Sequence, residues 1–289
     1  RSIQPRICPM SDVKITDVKT FRVKGPLTYE GDGPYWEERL VRPVDIYPEY
    51  KAMGPEVAVQ VSPSQVEVSA AWLEVETDAG VKGLAGPISP VEAFICRDAL
   101  KPILVGQDPM AVEKLWDQMY RTQVHGRKCD TMLSISAVDC ALWDIIGKIR
   151  KEPVYRLLGG PVKEKIRAYA SCLGWSLEPK LVVKRAQMYV DQGYTAMKWF
   201  FRHGPADGLR GEEENIRLVK TLREAVGYDV DIMLDCWMSW NVSYTIKMAR
   251  KLERYEPAWI EEPVMGDMVD EMAEITRDVS IPVAGAEHE

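Results

Sequence analysis

The chain has 289 residues, enough for one large or two ordinary domains, either of which can bury a core. Hydrophobic residues at 46% and charged residues at 28% are ordinary usage for a soluble globular protein. The net charge of −7 carries no concentrated basic tract, which argues against nucleic acid or an acidic membrane surface as the main partner.

No apolar run approaches the ~18–20 residues of a membrane span, and no signal peptide is visible. Six cysteines (Cys8, Cys96, Cys129, Cys140, Cys172, Cys236) are scattered without a C-x-x-C pair. In a chain this long they read as reduced thiols, which places the protein in the cytoplasm.

Residues 11–90 alternate in the manner of an antiparallel meander. The stretch "WLEVETDAGVKGLAG" (72–86) sets Trp72 and Leu73, then Val75 and Glu76, on opposite faces and turns at Asp78-Ala79-Gly80. Residues 25–64 are rich in Gly, Pro, Tyr and Trp, and a loop this long suggests either a lid over a substrate or disorder. In 131–150, Ile135, Val138, Leu142, Ile145 and Ile149 recur at helical spacing and form one buried face. Pro153 and Gly159-Gly160 then mark a domain boundary.

Beyond residue 165 strands and helices alternate. Strands are expected at 166–171, 196–201, 231–235, 258–261 and 282–287, with helices at about 179–191, 211–226, 242–255 and 268–278 between them. That order builds a parallel sheet, open or closed as a barrel.

Each of the last three strands ends in an acid, Asp235, Glu261 and Glu287, spaced 26 residues apart. Equal spacing puts them at one height on neighbouring strands, at the C-terminal mouth where barrel active sites lie. A single acid at a strand end more often caps a helix or pairs with a base. Three in register repel one another and call for a cation, and their oxygens suit Mg²⁺ or Mn²⁺ better than zinc. Lys198, near the end of the second strand, is either a snorkelling surface lysine or a cation at the same mouth that holds a substrate anion.

These residues resemble the mandelate racemase branch of the enolase superfamily over essentially the whole chain. "WLEVETDAGVKGLAG" is similar to the family's capping-domain hairpin, and "SAVDCALWDIIGK" with "PVYRLLGG" to its linker helix. The acids of "LDCWMS", "WIEEP" and "GAEHE" match its metal-ligand positions, giving Asp235, Glu261 and Glu287. The resemblance implies an α+β capping domain over 1–160 and a TIM-like (β/α)8 barrel over 161–289, of which five strands are present. Eight strands being required, Glu289 is expected to be a cut rather than a natural end, and the piece is not expected to fold stably alone.

Family membership implies one Mg²⁺ per subunit, replaceable by Mn²⁺, a small-molecule carboxylate substrate, and a homo-oligomer. It also implies removal of the proton α to the substrate carboxylate, giving an enediolate. Many members carry K-x-K at the second strand, the second Lys being a base; here the stretch is Lys198-Trp199-Phe200, and phenylalanine cannot take a proton. With "LDCWMS" and "HGP" (203–205), this is similar to the rhamnonate dehydratase group of acid-sugar dehydratases, whose His–Asp base dyad is absent here.

The expected function is therefore Mg²⁺-dependent dehydration of a sugar acid to a 2-keto-3-deoxy acid. The rivals are a racemase or epimerase of the same branch, and a barrel that binds a sugar acid or metal without turnover. Lys198 is the expected ligand of the substrate carboxylate. His288 is either a packed residue or the general acid for the departing hydroxyl. Arg39, Arg42, Arg202 and His203 are candidate contacts to substrate hydroxyls.

Overall fold

The structure, a computed structural model, describes residues 13–29, 34–55, 58–126 and 128–287. Its contacts divide into two compact units, one from Glu67–Lys165 with the residues up to Leu27, the other from Thr28–Val66 with the residues from Ile166 on. No helix among the described residues is long and apolar enough to cross a membrane.

The alternating sequence forms a sheet of β1 (Ile15–Thr28), β2 (Val59–Ser62), β3 (Gln65–Thr77) and β4 (Lys82–Ile88), with β3 pairing with the other three; β4 and nearly all of β1 and β3 lie in the first unit, whereas β2 falls in the span of the second. β3 and β4 form the expected antiparallel hairpin, with Glu76 opposite Lys82 beside the turn. Ala71, Leu73 and Val75 bury one face, as period-2 alternation requires. That face packs on helices α1 (Val112–Thr122) and α2 (Asp130–Arg150), where Ile135, Val138, Leu142 and Ile145 lie in the shared core. β4 and α2 meet so closely at Gly83 that a methyl group there would run into the Ala141 carbonyl oxygen.

The second unit is the strand–helix series. β5 (Ala170–Ser171), α3 (Pro179–Asp191), β6 (Ala196–Phe200), α4 (Gly208–Val226), β7 (Asp231–Asp235), α5 (Val242–Leu252), β8 (Trp259–Glu261), α6 (Val269–Asp278) and β9 (Val283–Ala284) follow in order. The strands pair in parallel in chain order. The two outer strands are shorter than the expected 166–171 and 282–287, because each has one pairing neighbour among the described residues. α5 ends at Leu252 and runs on as a 3₁₀ turn, Glu253–Tyr255, to the expected end near 255, where Glu256 at φ 49° breaks the helical path. The buried Arg223 guanidinium donates to the carbonyls of Tyr255 at 2.8 Å and Glu256 at 3.0 Å and so satisfies them at this end. Trp199, Ile232, Leu234 and Ile260 form a core with Val182, Leu222 and Met248 of the helices.

Residues 34–55, part of the 25–64 stretch expected as either a lid or disorder within the first domain, are folded and belong to the second unit. They contain a 3₁₀ turn at Pro43–Ile46 and a helical turn at Pro48–Lys51. The Val41 amide donates to the Phe201 carbonyl at 2.8 Å, and Lys51 pairs with Asp207 at 2.8 Å. These bonds decide which unit the segment joins.

Candidate active site

Strand alternation sorts the side chains of β6. Met197 and Trp199 enter the core under the helices, so Lys198 and Phe200 take the opposite face. Register extends that face to the neighbours: Phe200 pairs with Asp235, Asp235 with Glu261, and Lys198 with Met233. Phe200, Asp235 and Glu261 thus share one height at the C-terminal ends of three adjacent strands, the end at which βα barrels do their chemistry.

The Lys198 ammonium lies between the two acids. Nζ hydrogen-bonds Glu261 Oε1, lies 3.1 Å from Asp235 Oδ2, and sits 5.8 Å above the Tyr169 ring. Trp259 Nε1 donates to the other Glu261 oxygen at 2.8 Å, and the Trp237 amide to Asp235 Oδ1 at 3.0 Å. Burial pushes the Asp235 carboxyl up to about 6; Lys198 opposes that rise and the charge of Glu261 adds to it. For Lys198, burial alone would lower the pKa, but the bond to Glu261 and the charge of Asp235 outweigh it and hold the ammonium above its ordinary value.

Backbone strain collects at these strand ends. Trp237 (φ 41°), Met238 (φ 60°), Glu262 (φ 44°) and Ala286 (φ 79°) occupy the left-handed region, each within three residues of Asp235, Glu261 or Glu287. Such conformations cost ~1–3 kcal/mol each and concentrate where geometry serves a site.

Glu287 departs from the expected register. Glu261 pairs with Ala284, so Glu287 lies three residues past that height, on a turn beyond β9. The crossover from β7 to β8 holds an extra 3₁₀ turn, Glu253–Tyr255, and the one from β8 to β9 is correspondingly shorter. Equal sequence spacing therefore does not give equal height. Among the described residues no three His, Cys, Asp or Glu side chains converge as a metal site. His288 lies outside the described residues.

The arginines have other partners. Arg39 donates to Asp45, to the carbonyls of Leu40, Met53, Tyr50 and Lys51, and so has all its N–H groups engaged inside its own loop. Arg42 leans on Asp45 at 3.7 Å and on the Tyr50 carbonyl. Arg202 bonds Glu38 at 3.1 Å and the Lys51 carbonyl at 3.1 Å. His203 faces Asp207 at 3.5 Å and lines, with Arg202, a crevice of about 330 Å³ between α3 and α4. The three arginines fasten loops to one another, whereas His203 Nδ1 has no hydrogen-bond partner among the described residues; none of the four contacts Lys198 there. Sequence reasoning missed Trp259 and Tyr169, whose signal was their place two residues before Glu261 and directly before β5.

The Asp235–Glu261 pair fits a hard divalent cation. Both offer oxygen donors, Asp235 is 2% exposed, and an ammonium stands between them where positive charge must be supplied.

A βαβ series with acids at its strand tips, preceded by a sheet-and-helix unit, defines a class of capped βα-barrel proteins. Residues 51–159 match the family model for the mandelate racemase / muconate lactonizing enzyme N-terminal domain, and residues 181–289 match that for the enolase C-terminal domain-like family. The chain belongs to the enolase superfamily, in its mandelate racemase branch. It is 34% identical over 261 residues to the L-rhamnonate dehydratase of Saccharopolyspora erythraea, covering 88% of this chain and 62% of that protein. A protein of Caldivirga maquilingensis, provisionally named an L-rhamnonate dehydratase, is 35% identical over 276 residues, covering 92% of this chain and 62% of its own length. Among solved structures, the rhamnonate dehydratase of Gibberella zeae complexed with Mg has a TM-score of 0.74 at 29% identity, covering 96% of this chain and 66% of that one. The chain thus spans somewhat less than two thirds of the length of these relatives.

Proposed function

We propose that this protein is a Mg²⁺-dependent dehydratase of a sugar acid, of the kind its curated relatives are named for. The observation that carries the reading is the face shared by buried Lys198, Phe200 and Asp235 and half-buried Glu261, with an ammonium already seated between two carboxylates. Asp235 and Glu261 would hold a divalent cation, which would supply electrostatic stabilisation of negative charge on a substrate carboxylate.

The remaining chemistry belongs to side chains. Lys198 is the group to hold the substrate carboxylate, since a charged, buried ammonium attracts an anion strongly where water is excluded. Phe200 is fully buried and cannot accept a proton, so the base is not at that strand position, and a racemase built on a lysine there is set aside. Trp259 fixes the Glu261 carboxylate through its indole N–H and so orients one ligand. Loss of the α-proton and of the β-hydroxyl gives an enol that ketonises to a 2-keto-3-deoxy acid.

The test is to incubate the protein with Mg²⁺ and a panel of hexonates and 6-deoxyhexonates, L-rhamnonate among them, in D₂O. A semicarbazone-forming keto acid is the expected product, and Glu261→Gln is expected to abolish it. Exchange of the α-hydrogen without any keto acid would point to an epimerase, and full turnover by Glu261→Gln would sink the site assignment.

A further inference from the structure

Glu262, the second acid of "WIEEP", is 1% exposed. Among the described residues it forms no salt bridge, although a buried carboxylate is costly unless something satisfies it. Its partner is backbone: the Glu287 amide donates to Glu262 Oε1 at 2.8 Å. Its main chain is tied on both sides as well. The Glu262 amide donates to the Ala284 carbonyl at 2.9 Å, and its carbonyl accepts from the Met238 amide at 2.5 Å.

One residue therefore links the ends of β7, β8 and β9, which precede or carry the three acids. The left-handed φ of 44° explains how it does so. Simple alternation would send residues 261 and 262 to opposite faces; the bend at 262 lets its carboxylate reach the 285–287 turn instead. Gly285 lies against this carboxylate: a Cβ added there would be in ordinary van der Waals contact with the Glu262 oxygens, at 3.7 Å and 3.8 Å, and 3.2 Å from Met272 Cε. β9 itself pairs over only two residues, Val283–Ala284, so the turn beyond it depends on such side-chain anchoring.

We propose that Glu262 is a positioning residue whose buried carboxylate fastens the turn bearing Glu287 to the end of β8, and so sets where the third carboxylate stands relative to Asp235 and Glu261. The proposal rests on reading those three acids as the ligands of a divalent cation. Outer partners that orient metal ligands typically alter affinity by about 10–100-fold when removed. The hydrogen bond, not the charge, is the working feature, because the amide of a glutamine can accept the same bond.

The experiment is a Mn²⁺ titration of the protein followed by electron paramagnetic resonance, with no substrate present. Glu262→Gln is expected to bind within about three-fold of the parent, and Glu262→Leu about ten-fold or more weakly. Glu262→Asp keeps the charge but withdraws the oxygen by one methylene, so it is expected to weaken binding as well, and it serves if the leucine variant does not fold. Parent-like affinity in Glu262→Asp or Glu262→Leu overturns the proposal, as does a large loss in Glu262→Gln. Glu261→Gln separates the two levels. If it alone loses Mn²⁺, the metal site stands and the positioning role fails; if it too binds as the parent does, the metal-site reading fails.

Discussion

Burial and pairing set the chemistry of single side chains in this protein. The thiols of Cys96 and Cys172 are pushed up to about 12 by burial, and Cys236 is shifted in the same direction; Cys129 and Cys140 are exposed, although partial burial and the charge of Asp139 raise Cys140 as well. A thiol reagent at mildly alkaline pH is expected to label Cys129 and Cys140 in the native protein and to reach Cys96, Cys172 and Cys236 only after unfolding, as peptide mapping would read out. The Arg39–Asp45 pair behaves differently. Burial alone would raise the Asp45 carboxyl, but the hydrogen bonds and charge of Arg39, the Arg42 amide and the charge of Lys51 together outweigh it and hold the group below its ordinary value. A carboxyl lower in the folded state adds stability that is complete above its unfolded pKa of about 4 and vanishes as pH falls through the folded value. Arg39→Met is expected to cost about 3 kcal/mol at neutral pH, since it leaves a buried charge with only the Arg42 amide and the longer contacts of Arg42 and Arg202, and to flatten the acid limb. Urea unfolding across that pH range measures both.

At the scale of elements, close approach matters as much as pattern. Gly83 lets β4 lie against α2, and Gly83→Ala is expected to destabilise by about 1–3 kcal/mol because the added methyl meets the Ala141 carbonyl backbone. Leu142→Ala, in the buried face of α2, is expected to cost about 2–5 kcal/mol. Thermal or denaturant unfolding reads both, and a neutral Gly83→Ala would mean that the sheet and helix are less tightly apposed. These two elements differ in legibility. The spacing of Ile135, Val138, Leu142 and Ile145 announces the helix face, because a 3.6-residue period is local. The need for glycine at 83 is set by a helix about 60 residues later in the chain and has no local signal. The segment 34–55 went the same way: its composition suggested a lid, but its folding around Asp45 and its bonds to Phe201 and Asp207 depend on partners far along the chain.

For the whole molecule, the site is a balance of two carboxylates against one ammonium, and an added divalent cation shifts that balance. Mg²⁺ is expected to raise the unfolding midpoint in a concentration-dependent way, with about 2.7 kcal/mol of extra stability at a hundred times its dissociation constant. Asp235→Asn is expected to remove the response, and a midpoint indifferent to Mg²⁺ in the parent would speak against a bound cation. The sequence by itself determined the order of strands and helices, the hairpin, the buried face of α2, the superfamily, and the pairing in height of Asp235 with Glu261. All of these follow from periodicity or from motifs read along the chain. Only the tertiary structure decided that Glu287 stands three residues beyond that height, and that Arg39, Arg42 and Arg202 serve the loops. It alone showed that Lys198 is buried between two acids, and that Glu262 ties three strand ends together. Sequence spacing counts residues, whereas height in a sheet depends on how many of them each connection uses up. Likewise a charged side chain's role is set by which opposite charges or backbone groups the fold places within bonding distance.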